Sequence, residues 1–297
     1  MIKERSDVLR ALLSKDMKGL EIGALYHPVV PKAEGWNALS VDHDSKEGLL
    51  AAYSHDVNAT SERIQSVDVV WNGGSLSDAL VHSGHQPAEF DYVVASHVIE
   101  HFPDMLGALR DFAVVMKEGG IVSLAIPDLR YCFDFFMPWS TTAEILTAHE
   151  EKRVRHTKGS IFRMFAYRTT GIVNRGLPDE LVSAYNIELS SDIKHAYDQF
   201  VDHESTWPSR YADTHAWYFT PSSFRLVMLE LRALQLVHFD IESSERGPCG
   251  EFLVSMRKTS TPLSTPRDQL KAQRMDLLKE TTRELAHRAN MLDVPRL

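Results

Sequence analysis

The chain has 297 residues, 43% of them hydrophobic and 25% charged, enough to bury one large α/β core or two small ones. A formal charge of −9 opposes a phosphate backbone, so nucleic acid is excluded as the expected partner. Two cysteines, Cys132 and Cys249, cannot make a disulfide scaffold, and no apolar run reaches the roughly 20 residues of a membrane-spanning helix.

The charged opening at 1–16 lacks the apolar core of a signal peptide, which makes the cytoplasm the expected location. Within it, Val8, Leu9, Leu12 and Leu13 share one side of a short amphipathic helix over 7–15. Residues 19–23, Gly-Leu-Glu-Ile-Gly, begin as a strand and break into a loop at Gly23. Residues 39–42 make a second strand ending in Asp42, and 66–71 a third.

The run 90–127 carries most information. Residues 91–95 read as a strand buried on both faces of a parallel sheet. Leu106, Leu109, Phe112, Ala113 and Met116 then recur at helical spacing. Glu118-Gly119-Gly120 ends that helix before an apolar strand at 121–126. Strands alternating with helices imply βαβ units, and ligands of such sheets sit beyond the carboxyl ends of the strands. That rule puts Ser96, His97, Glu100 and His101 at the rim of a site, together with Pro127 and Asp128.

From 129 to 213 the strand rhythm is lost, and a mostly helical insertion is expected. Within it, 152–158 is either a local basic patch or a solvated helix end. Thr220 and Pro221 start a helix whose apolar face is Phe224, Val227, Leu231 and Leu234. Two closing strands follow at 236–243 and 251–256, with a turn at Arg246-Gly247-Pro248. The expected organisation is one domain over 1–258, then a linker and a charged helix within 259–297. Leu270, Leu277, Leu278 and Leu285 of that helix pack either on their own domain or on a second copy, giving a homodimer.

Three stretches together resemble the class I S-adenosylmethionine-dependent methyltransferases, in particular the "methyltransferase type 11" group. They are Leu20-Glu21-Ile22-Gly23, the acid Asp42 ending the second strand, and the whole run 90–127 with Ser96-His97-Val98-Ile99-Glu100-His101 inside it. The resemblance implies a Rossmann-like, mostly parallel seven-stranded sheet with a helical insertion after strand five. It also implies S-adenosylmethionine as cofactor. Asp42 would then hold the ribose hydroxyls, with Asp44 as the nearby alternative. Glu21 and Gly23 would face the methionine end, and the stretch through Gly74 and Ser75 would border the adenine, with Ser96 and His97 at the rim. One departure stands out: later positions where the family loop carries glycine hold Leu25 and His27.

Methyl transfer requires an aligned nucleophile and often a proton acceptor. His97 and His215 lead the candidate bases, the latter in a His-x-x-x-Phe-Thr-Pro stretch similar to one preceding the last helix of many relatives; Asp128 is a third catalytic candidate. His97 and His101, four apart, would share a helix face, but no third metal ligand stands near them in sequence, so no metal is expected. If an ion did assist, Asp128 and Asp104 would be its oxygen ligands. Charged and aromatic residues interleave over 128–136, which either suits a polyhydroxylated ring or forms the insertion's own core. By analogy with similar proteins of bacterial glycan assembly, the expected acceptor is a saccharide or other hydroxylated small molecule. The competing readings are transfer to nitrogen, carbon or a carboxylate, and an inactive cofactor-fold interaction module.

Overall fold

The computed structural model describes residues 4–172, 182, 184–206 and 212–293, with the side chains of 203–206 excepted. After α1 (Arg5–Leu9) the chain forms β1 (Gly19–Ile22), β2 (Ala38–Asp42), α2 (Lys46–Ala52), β3 (Val69–Val70) and α3 (Leu76–His82). It continues through β4 (Phe90–Ser96), α4 (Met105–Val115) and β5 (Met116–Pro127). The closing elements are α8 (Pro221–Ala233), β8 (Phe239–Arg246), β9 (Glu251–Lys258) and α9 (Arg267–Asn290). Between β5 and α8 lie α5 (Thr142–Glu150), α6 (Lys158–Tyr167), β6 (Thr169–Thr170), β7 (Glu188–Leu189) and α7 (Ile193–Thr206).

The sheet has seven strands in the order β3-β2-β1-β4-β5-β9-β8, with β9 antiparallel to both its neighbours and the other pairings parallel. This is the mostly parallel Rossmann-like sheet of the class I methyltransferases. From β1 the chain runs outward to β2 and β3 on one side, then returns to β4 and β5 on the other. A crevice therefore opens at the carboxyl ends of β1 and β4, where strand order reverses.

The period-2 alternation of β4 explains the two layers. Val93 and Ala95 join Leu20, Leu109, Phe112 and Val227 in one core, while Tyr92 and Val94 join Val8, Leu9, Trp36 and Ile121 in the other. All four of these β4 residues are fully buried, and a valine so buried contributes roughly 1.5–3 kcal/mol. The Tyr92 ring lies on Gly19, where a Cβ would fall 2.0 Å from it, so β1 and β4 fit only with glycine at that position.

Several boundaries differ from expectation. Helix α1 ends at Leu9: the Ala11 N–H bonds the Val8 carbonyl, only three residues back, and Arg10 Nε turns to the Val29 carbonyl. Strand β3 is only two residues long; the Asp68 carboxylate accepts the Ser40 N–H at 2.7 Å, a group a longer strand would use for pairing. Strand β5 starts at Met116, which already pairs with Phe90, so Gly119 and Gly120 lie inside the strand segment. Leu236 belongs to the exit of α8, its N–H bonded to the Leu231 carbonyl, and β8 starts three residues later.

The expected insertion over 129–213 is helical in α5, α6 and α7, with a two-stranded β6–β7 sheet that was not expected; 173–181, 183 and 207–211 lie outside the described residues. Helix α9 touches its own domain. Leu277 and Thr281 are buried, Ser222 Oγ donates to Glu284 at 3.0 Å, and Arg288 donates to the Phe135 and Met137 carbonyls at 2.9 Å. Among the described residues, no helix is long and apolar enough to cross a membrane.

Candidate active site

A cavity of about 1480 Å³ occupies the crevice at the strand ends, walled on its far side by residues of the insertion. Glu21, Gly23, Asp42, Asp44, Gly74, Ser75, Ser96, His97 and His215, named from sequence, all line it. Asp128 does not; both its oxygens are taken by Arg130, with Nε at 2.9 Å from Oδ1 and Nη2 at 2.6 Å from Oδ2. At 2% exposure, Asp128 is one half of a buried ion pair and not the group at the rim that was expected.

On the β1 side, Gly23 has φ +65, and a Cβ there would lie 2.6 Å from Val98 Cγ2. Glycine thus lets the first loop approach the loop after β4. The next loop position with this conformation is Leu25, at φ +43, where a side chain is carried through the left-handed region. Glu21 is 2% exposed and accepts from the Val29 and Val30 N–H groups, pinning the far end of that loop. Burial pushes its pKa up to about 7 against those two hydrogen bonds. It therefore braces the loop as well as lining the cavity.

Asp42 ends β2 at 7% exposure; its Oδ1 accepts from the His43 backbone N–H at 2.8 Å and lies equally close to His43 Nδ1. Asp44 instead bonds the Ser45 N–H at 2.7 Å, and Ser75 caps α3 by accepting from Asp78. Trp71 packs on Phe102 with centroids 5.1 Å apart, giving this end of the cavity an aromatic wall.

At the end of β4 the backbone turns sharply, with His97 at φ +56 and a single 3-10 turn at Ile99–His101. The helix face that His97 and His101 were expected to share is not formed. His97 Nε2 lies 2.5 Å from Oε2 of Glu251, and Arg5 grips the same carboxylate with two contacts of 2.9 Å. Burial works to raise the pKa of Glu251, but the bonds from His97 and Arg5 outweigh it and hold the group below the usual carboxylate range. The other ring nitrogen of His97, Nδ1, is 3.6 Å from Glu100 Oε1.

His215 sits deeper, at 4% exposure, with Nδ1 2.7 Å from Asp134 Oδ2. Burial disfavours its cationic form, but Asp134 and Glu100 more than compensate and its pKa is raised. The Ala216 N–H donates to the Glu100 carbonyl at 2.7 Å and Trp217 Nε1 to the Phe102 carbonyl at 2.7 Å. These bonds staple the segment after the insertion onto the loop after β4. They bring Glu100, His101 and His215 together, although the two histidines are 114 positions apart in sequence.

The insertion closes the cavity with Lys152, Arg153, Arg155 and Arg168, and Arg168 lies 4.4 Å over the Phe133 ring. The basic stretch is thus a cavity wall. Arg5, Glu251, Asp134 and Arg168 were not singled out from sequence. Each is remote in the chain from the residue it serves, and no local spacing signals it.

A family model described as a methyltransferase domain matches residues 3–238 of the chain. The chain belongs to this methyltransferase family. The cofactor of the methyltransferase is S-adenosylmethionine. No curated protein sequence matches it. Among solved structures it is similar to an S-adenosylmethionine-dependent methyltransferase from Mesorhizobium loti, at 14% identity and a TM-score of 0.41 over 85% of this chain and 98% of that one. It is also similar to a methyltransferase from Methanosarcina mazei, at 12% identity and TM-score 0.41 over 85% and 97%. A third likeness is to 1,6-didemethyltoxoflavin-N1-methyltransferase from Burkholderia thailandensis with bound S-adenosylhomocysteine, at 14% identity and TM-score 0.41 over 86% and 77%.

Proposed function

We propose that the methyltransferase transfers its methyl group to a hydroxyl of a small polyhydroxylated acceptor, a saccharide in the first instance, that carries an anionic group. The observation that supports this reading is the pairing of His97 with Glu251 at the rim of the cavity. A nitrogen nucleophile needs no buried carboxylate to orient a base, whereas a hydroxyl gains from proton removal as it attacks.

The residues around the cavity fit the cofactor. Gly23 leaves a cradle that a Cβ would fill, and Asp42 offers a carboxylate at the end of β2 suited to two ribose hydroxyls. Trp71 and Phe102 would flank the adenine. When bound, the cofactor supplies an electrophilic methyl on a sulfonium. The protein's part is to orient the acceptor and accept its proton. Glu251 fixes the His97 tautomer with the proton on Nε2, leaving Nδ1 as the nitrogen that receives the acceptor's proton. Lys152, Arg155 and Arg168 bring positive charge to the acceptor wall of a chain whose net charge is −9.

Incubation of the protein with labelled S-adenosylmethionine and sugar phosphates, uronic acids and their neutral counterparts tests this. Mass spectrometry should find methyl on oxygen in the anionic sugars. Methyl found on nitrogen, with oxygen acceptors untouched, would remove the proposal.

A further inference from the structure

We propose that Glu100, His101 and His215 form a binding site for a divalent transition-metal ion of the zinc class. One ligand atom from each lies within 4.8 Å of the other two. Glu100 Oε1 is 3.9 Å from Nε2 of His101 and 3.9 Å from Nε2 of His215. Tetrahedral zinc with bonds near 2.0–2.1 Å sets its ligand atoms about 3.4 Å apart, so each contact to Glu100 must close by roughly half an ångström and the two histidine nitrogens, within 4.8 Å, by up to about 1.4 Å.

Three further observations point to an ion. The Glu100 carboxylate is 1% exposed, and neither oxygen has a hydrogen-bond partner. A carboxylate buried in that way is expensive unless a cation compensates it. The far nitrogen of His215 is hydrogen-bonded to a carboxylate, Nδ1 lying 2.7 Å from Asp134 Oδ2, while His101 Nδ1 lies 3.2 Å from Asp213 Oδ1 at ion-pair distance without a hydrogen bond. Metal-bound histidines make the contact seen at His215 almost always, because it fixes the tautomer and turns the other nitrogen's lone pair toward the metal. Finally, the two rings meet edge to face at 4.6 Å, held by the backbone bonds from Ala216 and Trp217 to Glu100 and not by the carboxylate itself.

Two imidazoles and one carboxylate suit zinc, and equally iron(II) or manganese(II) at lower affinity. His101 and His215 line the cavity, so the open coordination position faces the space assigned to the acceptor. The site goes beyond the proposed reaction, and its existence does not depend on the acceptor's identity.

The full chain, stripped with a chelator and dialysed, is titrated with Zn2+ alone against a chromophoric competitor, and S-adenosylhomocysteine binding is measured on the same samples. Wild type should take up one equivalent. Glu100→Gln, His101→Asn and His215→Asn should each bind Zn2+ at least ten-fold more weakly while keeping S-adenosylhomocysteine affinity, which reports an intact fold. Co2+ in place of Zn2+ should give the intense visible absorption of a four-coordinate ion in wild type and lose it in the variants. A wild-type protein without stoichiometric Zn2+ uptake would overturn the site. So would variants that bind S-adenosylhomocysteine and hold Zn2+ as tightly as wild type. Because cofactor binding is read separately, loss of the metal site and loss of the methyltransferase reading give different results.

Discussion

Nε2 of His97, at the carboxyl end of β4, lies 2.5 Å from Oε2 of Glu251, the first residue of β9, across 154 positions of sequence. Strands β4 and β9 are not neighbours; β5 lies between them, and the contact passes over its end, where Pro127 pairs with Glu251. His97→Gln should lower kcat by about 10²–10⁴-fold, the usual contribution of a general base. Glu251→Gln should give a smaller loss, because a base remains but its tautomer is no longer fixed. Calorimetric affinity for S-adenosylhomocysteine should stay within about two-fold in both, since neither change removes a cofactor contact. Wild-type turnover in His97→Gln would exclude it as the base.

Asp42→Ala should weaken S-adenosylhomocysteine binding by about 10²-fold or more, since two hydrogen bonds to a charged group contribute roughly 1.5–3 kcal/mol each. Asp44→Ala is the matched control. Asp44 lies exposed two residues beyond the end of β2, where Asp42 is buried at the strand end, so titration calorimetry should find little change. A reversal of the two results would transfer the ribose contact to Asp44.

Gly23→Ala meets two separate obstacles. The new methyl would lie 2.6 Å from Val98 Cγ2, and φ +65 strains any side chain by about 1–2 kcal/mol. Cofactor affinity should fall at least ten-fold by calorimetry. Gly23→Ala with Val98→Ala should recover only part of that loss, because space returns but the strain remains.

The parts of this methyltransferase that were legible in sequence are those encoded locally. The burial of β4, the N-cap of α8 at Thr220 and the glycine at the end of β1 each follow from a few adjacent residues. What stayed hidden depends on contacts closed by the whole sheet. Asp128 and Arg130 are two apart and look like separate rim groups until the fold buries them against each other. His101 looked like a partner of His97, but its ring meets His215 because backbone bonds from Ala216 and Trp217 hold the two segments together. Helix α9 has a charged surface that suits a partner or its own domain equally, and its bonds to Ser222 and to the carbonyls of Phe135 and Met137 are closed only by the fold.

Arg168→Ala should raise the KM for an anionic acceptor by about ten-fold, with kcat and the KM for a neutral analogue little changed. The guanidinium sits over Phe133 at the cavity wall, so it contributes binding and not chemistry. Steady-state kinetics on a sugar and its phosphate would separate these effects. An equal KM increase for both would mean that Arg168 only positions the Phe133 ring.

Glu21 gives the fold a pH dependence of defined sign. Its folded pKa is raised from 4.5 to about 7, chiefly by burial, so the folded state holds a proton that the unfolded state has released between those values. Below pH 4.5 both states are protonated and the contribution is fully present. As pH rises toward 7 it is lost, by an amount on the order of 3 kcal/mol at most, and above 7 it changes no further. The N–H of Val30, 3.2 Å from Oε2, is the weaker of the two bonds, so Oε2 is the oxygen that takes the proton. Urea denaturation from pH 5 to pH 8 should therefore show wild-type stability falling relative to Glu21→Gln, whose neutral side chain cannot titrate. Parallel curves for the two proteins would mean that the Val29 and Val30 bonds hold Glu21 ionised across the whole range.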